Sequence, residues 1–156
     1  MVEKKFVTVY HGTTKSRASQ ILCDGEIRIT SENNINYSTT SCGFVYVTTC
    51  LCDAMDFSSR RAENGVSTIN VFRITVDASE LETDTDEIKW RSTLSPGGTK
   101  TCYRIRRNLK IGKDVDAIFQ KTFGRDSRSC GRYMQGIQYG EIAICEGDWK
   151  TLKDST

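Results

Sequence analysis

A change of hydrophobic period within one short run limits the fold of this chain more than any other feature. Residues 5–10, KFVTVY, alternate apolar and polar positions as a half-buried strand does. From Thr14 the repeat is helical. Ala18, Ile21 and Leu22 fall at i, i+3 and i+4, Thr14 or Ser16 can cap the start, and Gly25 stands where a helix would stop. The sequence therefore predicts strand, tight turn and helix. At the turn lies the only histidine of 156 residues, His11, immediately before Gly12.

Similar punctuation continues downstream. Residues 31–40 are polar and Asn-rich, a predicted loop, and residues 43–47, GFVYV, suit a second strand. Thr49 can cap a helix running through Leu51, Ala54, Met55 and Phe57 to about Ala62, with Asn64-Gly65 to end it. Residues 67–76, STINVFRITV, predict another strand. Beyond them SPGG at 95–98 is a turn, TCYRIRRNL is strand or helix, VDAIFQKTF is ambiguous, and GEIAIC at 140–145 has the short apolar run of a buried strand. Strands and short helices mixed without βαβ regularity predict an α+β fold, and the length predicts one domain, 1–156.

Several function classes have little support. No apolar run approaches ~18 residues, and MVEKK is not followed by an apolar segment, so neither a membrane span nor a secretory signal is expected and the expected location is cytoplasmic. Seven cysteines (23, 42, 50, 52, 102, 130, 145) form no CxxC pair and have a single histidine beside them. Reduced thiols are expected, with no metal site. The net charge of +2 speaks against a strongly electrostatic nucleic-acid binder. It hides an acidic run at 77–87 and a basic stretch at 100–132. GxGxxG, phosphate-loop and GxSxG signatures are absent.

What remains is an ordered set: YHGT at 10–13, GFVYVTT at 43–49 with DAMDF at 53–57, and QYGEIAI at 138–144. The set resembles the ADP-ribosyltransferases of the diphtheria-toxin and poly(ADP-ribose) polymerase type, whose signature is a histidine, a tyrosine and a glutamate on three strands. The resemblance spans residues 7–146. It implies two small, mostly antiparallel sheets forming a cleft for NAD, the co-substrate, with His11, Tyr46 and Glu141 as catalytic residues. It also implies that Tyr46 and Phe57, eleven residues apart, flank the nicotinamide cation with two π faces, worth about 1–2 kcal/mol per ring in a dry slot. His11 would orient the nicotinamide-side ribose, and Gly12 would open its backbone to the carboxamide. Thr13 would contact the adenosine side or begin the helix. Glu141 would stabilise the oxocarbenium-like carbon through the 2′-hydroxyl, as the carboxylates of glycosidases do.

In related toxins a second Glu or Gln two residues before the glutamate accompanies arginine modification. Here that position is Tyr139, which argues against arginine as acceptor. The resemblance further implies that residues 124–138 read the acceptor from a loop, through Arg125, Arg128, Arg132, Tyr133 and the neighbouring Tyr139. A mono-ADP-ribosyltransferase acting on a macromolecule, with protein favoured over nucleic acid, is the expectation. Its size suits an intracellular effector such as a toxin-antitoxin or phage-encoded modifier. The alternatives are transfer to DNA or RNA in the manner of the DarT branch, NAD hydrolysis, RNA 2′-phosphotransfer, and a non-catalytic module of this fold that binds a nucleotide or partner.

Overall fold

The computed structural model describes residues 4–30, 42–83, 102–125 and 127–153. The predicted loop at 31–40, the SPGG turn and most of the acidic run lie outside these residues. Strand β1 is Phe6–Thr13, ending three residues beyond the alternating run, so His11 lies inside the strand. Helix α1, Lys15–Asp24, follows at once. Thr14, in extended conformation, accepts the Arg17 N–H, and Gly25 in the left-handed region (φ 76°) directs its N–H to the Ile21 carbonyl.

Seven strands build the main sheet in the order β5-β6-β3-β1-β4-β8-β9. β3 is Val45–Thr48, β4 is Thr68–Asp77, β5 is Glu82–Thr83, β6 is Cys102–Ile105, β8 is Val115–Thr122 and β9 is Lys150–Thr151. Their pairings are antiparallel. β2, Glu26–Ile27, pairs with β7, Leu109–Lys110, in a separate two-stranded sheet. The α+β class stands, but the strands are gathered into one large sheet and one small ribbon rather than two small sheets.

The two faces of the large sheet carry separate cores. Val9, Phe72, Ile74, Ile105 and Ile118 bury on one face under Ala18 and Ile21 of α1. On the other, Ile69, Val71 and Phe119 meet Ala54 and Met55 of α2, Leu51–Ser59, and Cys130 of α3, Ser127–Gln138. Between α2 and β4, Asn64 and Gly65 both have positive φ (54° and 75°). This is the backbone that a two-residue Asn-Gly hairpin turn requires, and Glu63 and Val66 bridge across it.

Other sequence expectations fail as well: Cys50, not Thr49, precedes α2 and makes no side-chain cap bond, and the helix stops at Ser59 rather than near Ala62. Residues 124–138, expected as a loop, contain helix α3. Residues 140–145, expected as a buried strand, form turn, bend and irregular backbone, with Glu141 exposed.

At the far end of the sheet Arg107 makes paired hydrogen bonds to Glu80 (2.7 and 3.1 Å) and to Asp114 (2.9 and 2.8 Å). Asp114 is 5% exposed and also accepts the Lys110 N–H at 2.9 Å. Burial resists its ionisation, but the Arg107 guanidinium and the Lys110 N–H outweigh that and hold its carboxyl below the usual range. Arg107→Ala strands a buried carboxylate, and we expect a loss of about 2–3 kcal/mol, read as a shifted urea midpoint. A shift smaller than about 0.5 kcal/mol would show that solvent already compensates Asp114.

Candidate functional site

The alternation of β1 sorts its residues by face. Val7 and Val9 join the α1-side core and Tyr10 joins the α2-side cluster, so His11 lies on the α1 side and Gly12 on the α2 side. β3 is sorted alike: Val45 and Val47 face α1, and Tyr46 and Thr48 face α2. β1 and β4 are in register from Phe6↔Asp77 to Thr13↔Asn70, whereas β1 and β3 share one registered pair, Tyr10↔Thr48. Past that pair the imidazole takes the place of a ladder bond: His11 Nδ1 lies 2.7 Å from the Tyr46 carbonyl oxygen.

A carbonyl only accepts, so Nδ1 carries the proton and Nε2 of the neutral ring is left as an acceptor. Burial, opposed by the Tyr46 bond and assisted by the Arg17 charge, holds the His11 pKa below the ordinary 6.5. The folded-state value is the lower one, so the unfolded chain takes up the proton first as pH falls, and stability is lost as pH drops below about 6.5. We expect the melting-temperature gap between wild type and His11→Gln to narrow from pH 7.5 to pH 5.5. An unchanged gap would mean that the imidazole does not titrate in this window.

Gly12 has a reason of its own. A Cβ at this position would stand 2.1 Å from the Ala54 carbonyl oxygen, so α2 can rest on β1 only where the side chain is absent. Thr13 is 5% exposed, closes the strand and leaves the cap to Thr14. Its carbonyl accepts the hydroxyl of the fully buried Ser58 at 2.6 Å, and the Ser58 hydroxyl oxygen in turn accepts the Asn70 N–H at 2.7 Å. One hydroxyl thus pins the end of α2 to the last rung between β1 and β4. Neither Ala54 nor Ser58 stands out in the sequence, because both belong to an ordinary amphipathic helix.

Phe57 is carried by α2, on the same side of the sheet as Tyr46. The Arg61 guanidinium lies over its ring, 4.5 Å from the centroid. The ring of Tyr46 contacts Phe44 at 6.2 Å between centroids, and Arg104 lies over Phe44 at 4.1 Å.

β1, β3 and α2 carry His11, Gly12, Thr13, Tyr46 and Phe57 near one strand end, with the side chains of His11 and Thr13 on the α1 face of the sheet and Tyr46 and Phe57 on the α2 face, and Glu141 lies on a different element. Its N–H donates to the Gly136 carbonyl at 2.8 Å, so it follows directly from the end of α3. α3 packs on the α2-side cluster through Cys130, Tyr133, Met134 and Ile137. The segment beyond Glu141 is fastened at its far end. Arg73 grips Glu146 at 2.8 and 2.9 Å, Trp149 stacks on Tyr10 at 5.9 Å, and β9 joins β8.

Of the acceptor-reading candidates, Arg125, Arg128 and Arg132 are exposed, the last two one turn apart on α3, and Tyr139 is 73% exposed. Tyr133 is instead packed on Phe123 at 5.4 Å, with Lys121 over its ring. A cavity of about 460 Å³ lies elsewhere, lined by Phe6, Asp77, Glu80, Arg107 and Asp114 among others. Phe6 and His11 are five residues apart on one strand, roughly 17 Å, so this cavity sits at the other end of β1.

All seven cysteines are without disulfides. Among the described residues no helix is long and apolar enough to cross a membrane. Comparison with protein-family models, with curated proteins and with solved structures finds no match to this chain.

Proposed function

We propose that this chain is an ADP-ribosyltransferase that breaks the nicotinamide–ribose bond of NAD and passes ADP-ribose to a macromolecule, with protein favoured as acceptor. The observation that carries the reading is the fixed tautomer of His11. With Nδ1–H held by the Tyr46 carbonyl, Nε2 is an acceptor for a ribose hydroxyl at the place where β1 and β3 part. Tyr46 and Phe57 share the α2 side, where they would flank the cationic base. An antiparallel sheet with helices on both faces is compatible with the fold of that family.

In the reaction the C1′–N bond breaks and its electron pair leaves with nicotinamide. The acceptor nucleophile bonds C1′ and gives up its proton. Glu141, by accepting a hydrogen bond from the 2′-hydroxyl, would stabilise the positive charge that develops at C1′. The exposed arginines of α3, with Arg125 and Tyr139, would present a cationic, partly aromatic surface to an acidic protein acceptor.

One observation favours a second reading, a nucleotide-binding module without chemistry: Glu141 is exposed and off the sheet. Release of labelled nicotinamide from NAD separates the two. The transferase reading expects turnover by wild type, lowered roughly 10²-fold in His11→Asn, because a mispositioned sugar loses alignment. NAD binding without any nicotinamide release, in the presence of cell extract as acceptor, would leave the module reading in its place.

A further inference from the structure

Strand β8 is longer than the strand that covers its outer edge. The Phe123 N–H donates to the Ser67 carbonyl at 3.0 Å, and the ladder continues through Thr68↔Thr122, Asn70↔Gln120 and Phe72↔Ile118. Residues 117, 119, 121 and 123 therefore aim their N–H and C=O groups at β4, and Asp116, Ile118, Gln120 and Thr122 aim theirs outward. β9 uses the first two of these. The Leu152 N–H donates to the Asp116 carbonyl at 2.8 Å, and Lys150 pairs with Ile118. The next rung would set Asp148 opposite Gln120, but the Asp148 N–H turns back to the Cys145 carbonyl at 3.0 Å within the short helix Glu146–Asp148. Among the described residues, nothing bonds the outward N–H and C=O groups of Gln120 and Thr122, and both residues are exposed.

The charges beside this open edge are of one sign. Lys121, between the two residues, shares the α2 face with Phe119, and its ammonium lies over the rings of Phe123 at 5.7 Å and Tyr133 at 5.0 Å while the residue stays exposed. Arg125 and Lys150 are exposed beyond its two ends. The neighbouring carboxylates are engaged, Asp116 and Glu146 by Arg73 and Asp148 by the Cys145 N–H. This pattern separates the occupants. A second copy pairing edge to edge would set Lys121 opposite Lys121, a repulsive cross-strand pair. An acidic strand meets the same lysine with opposite charge.

We propose that the open edge of β8 at Gln120 and Thr122 accepts an extended acidic segment of a partner protein as an added antiparallel strand. The main-chain groups of Gln120 and Thr122 supply the pairing, and a carboxylate opposite Lys121 supplies the selectivity. This surface is built from the sheet's edge and one lysine, and it does not depend on the transferase reading.

Titration of the isotope-labelled full chain with an end-capped octapeptide of alternating threonine and glutamate, followed by NMR, tests it. The backbone amide signals of Gln120 and Thr122 are expected to move most. The matching threonine–lysine peptide should bind about tenfold more weakly, and Lys121→Glu should reverse that order. N-methylation of alternate amides in the acidic peptide keeps its charge, removes its donors and should abolish binding. Thr122→Pro removes an outward donor and leaves the ladder to β4 intact, so binding of the acidic peptide should fall about tenfold while the rest of the spectrum is kept. If Thr122→Pro loses the dispersed spectrum of a folded chain, the Lys121→Glu reversal carries the test. No binding of the acidic peptide, equal binding of its N-methylated form, an order unaltered by Lys121→Glu, or shifts centred on α3 rather than β8 would overturn the proposal.

Discussion

Gly12→Ala is expected to destabilise the protein by about 3 kcal/mol, measured as a lower urea midpoint at unchanged slope. The added methyl would lie 2.1 Å from the Ala54 carbonyl oxygen, 2.9 Å from its carbon and 3.3 Å from its Cα. All three are backbone atoms, so no side-chain rotation relieves the clash, and α2 must lift from β1. Lifting α2 also strains the Ser58 bonds to Thr13 and Asn70, which are fully buried and have no water to replace them. Ala54→Gly removes only a methyl and leaves the carbonyl in place. The double variant should therefore recover none of the lost stability, and recovery would show that the side chain of Ala54, not the helix backbone, sets the limit. Because α2 carries Phe57, the same substitution should also lower nicotinamide release from NAD even where the fold survives.

The strand-to-helix hand-over at His11 is legible in the sequence because each signal there is local. Alternation, a threonine cap and a terminal glycine lie within about twenty residues, and each does in the structure what its chemistry suggests. The reason for Gly12 is not local. It depends on a carbonyl forty-two residues away, which no spacing rule reports.

α3 is hidden for a different reason. Gly131 and Gly136 lie in its interior, and serine, glycine and arginine make its composition that of a loop. Its apolar residues, Cys130, Tyr133, Met134 and Ile137, nevertheless fall at i, i+3, i+4 and i+7, a helical stripe. Gly136 is also where Ile142 packs, since a Cβ there would meet the Ile142 side chain at 2.5 Å. This accounts for the missing strand at 140–145. The N–H groups of Glu141 and Ile142 both donate to the Gly136 carbonyl, and Ile144 joins the α2-side cluster. Apolar residues that suggest a strand serve instead to close a helix and cover a core. Tertiary packing decides between the two, and a six-residue run carries too little period to reveal it.

Glu141→Gln is expected to separate chemistry from stability. The side chain is exposed, so the substitution should change the unfolding free energy by less than about 0.5 kcal/mol. Glutamine keeps the shape and an acceptor oxygen but removes the negative charge that would face C1′ as the nicotinamide departs. Nicotinamide release should fall on the order of 10²–10³-fold, with NAD affinity within about twofold of wild type, because the carboxylate acts on the charge that develops only as the bond breaks. The segment bearing Glu141 is tethered at both ends, by Gly136 on one side and by the Arg73–Glu146 and Tyr10–Trp149 contacts on the other. Loosening the far tether with Trp149→Ala should therefore lower nicotinamide release without abolishing it, and should leave the remaining activity sensitive to Glu141→Gln. If instead Glu141→Gln releases nicotinamide as fast as wild type, the carboxylate has no part in the bond cleavage. The transferase reading then loses its charge-stabilising carboxylate, and only the non-catalytic reading is left for His11, Tyr46 and Phe57.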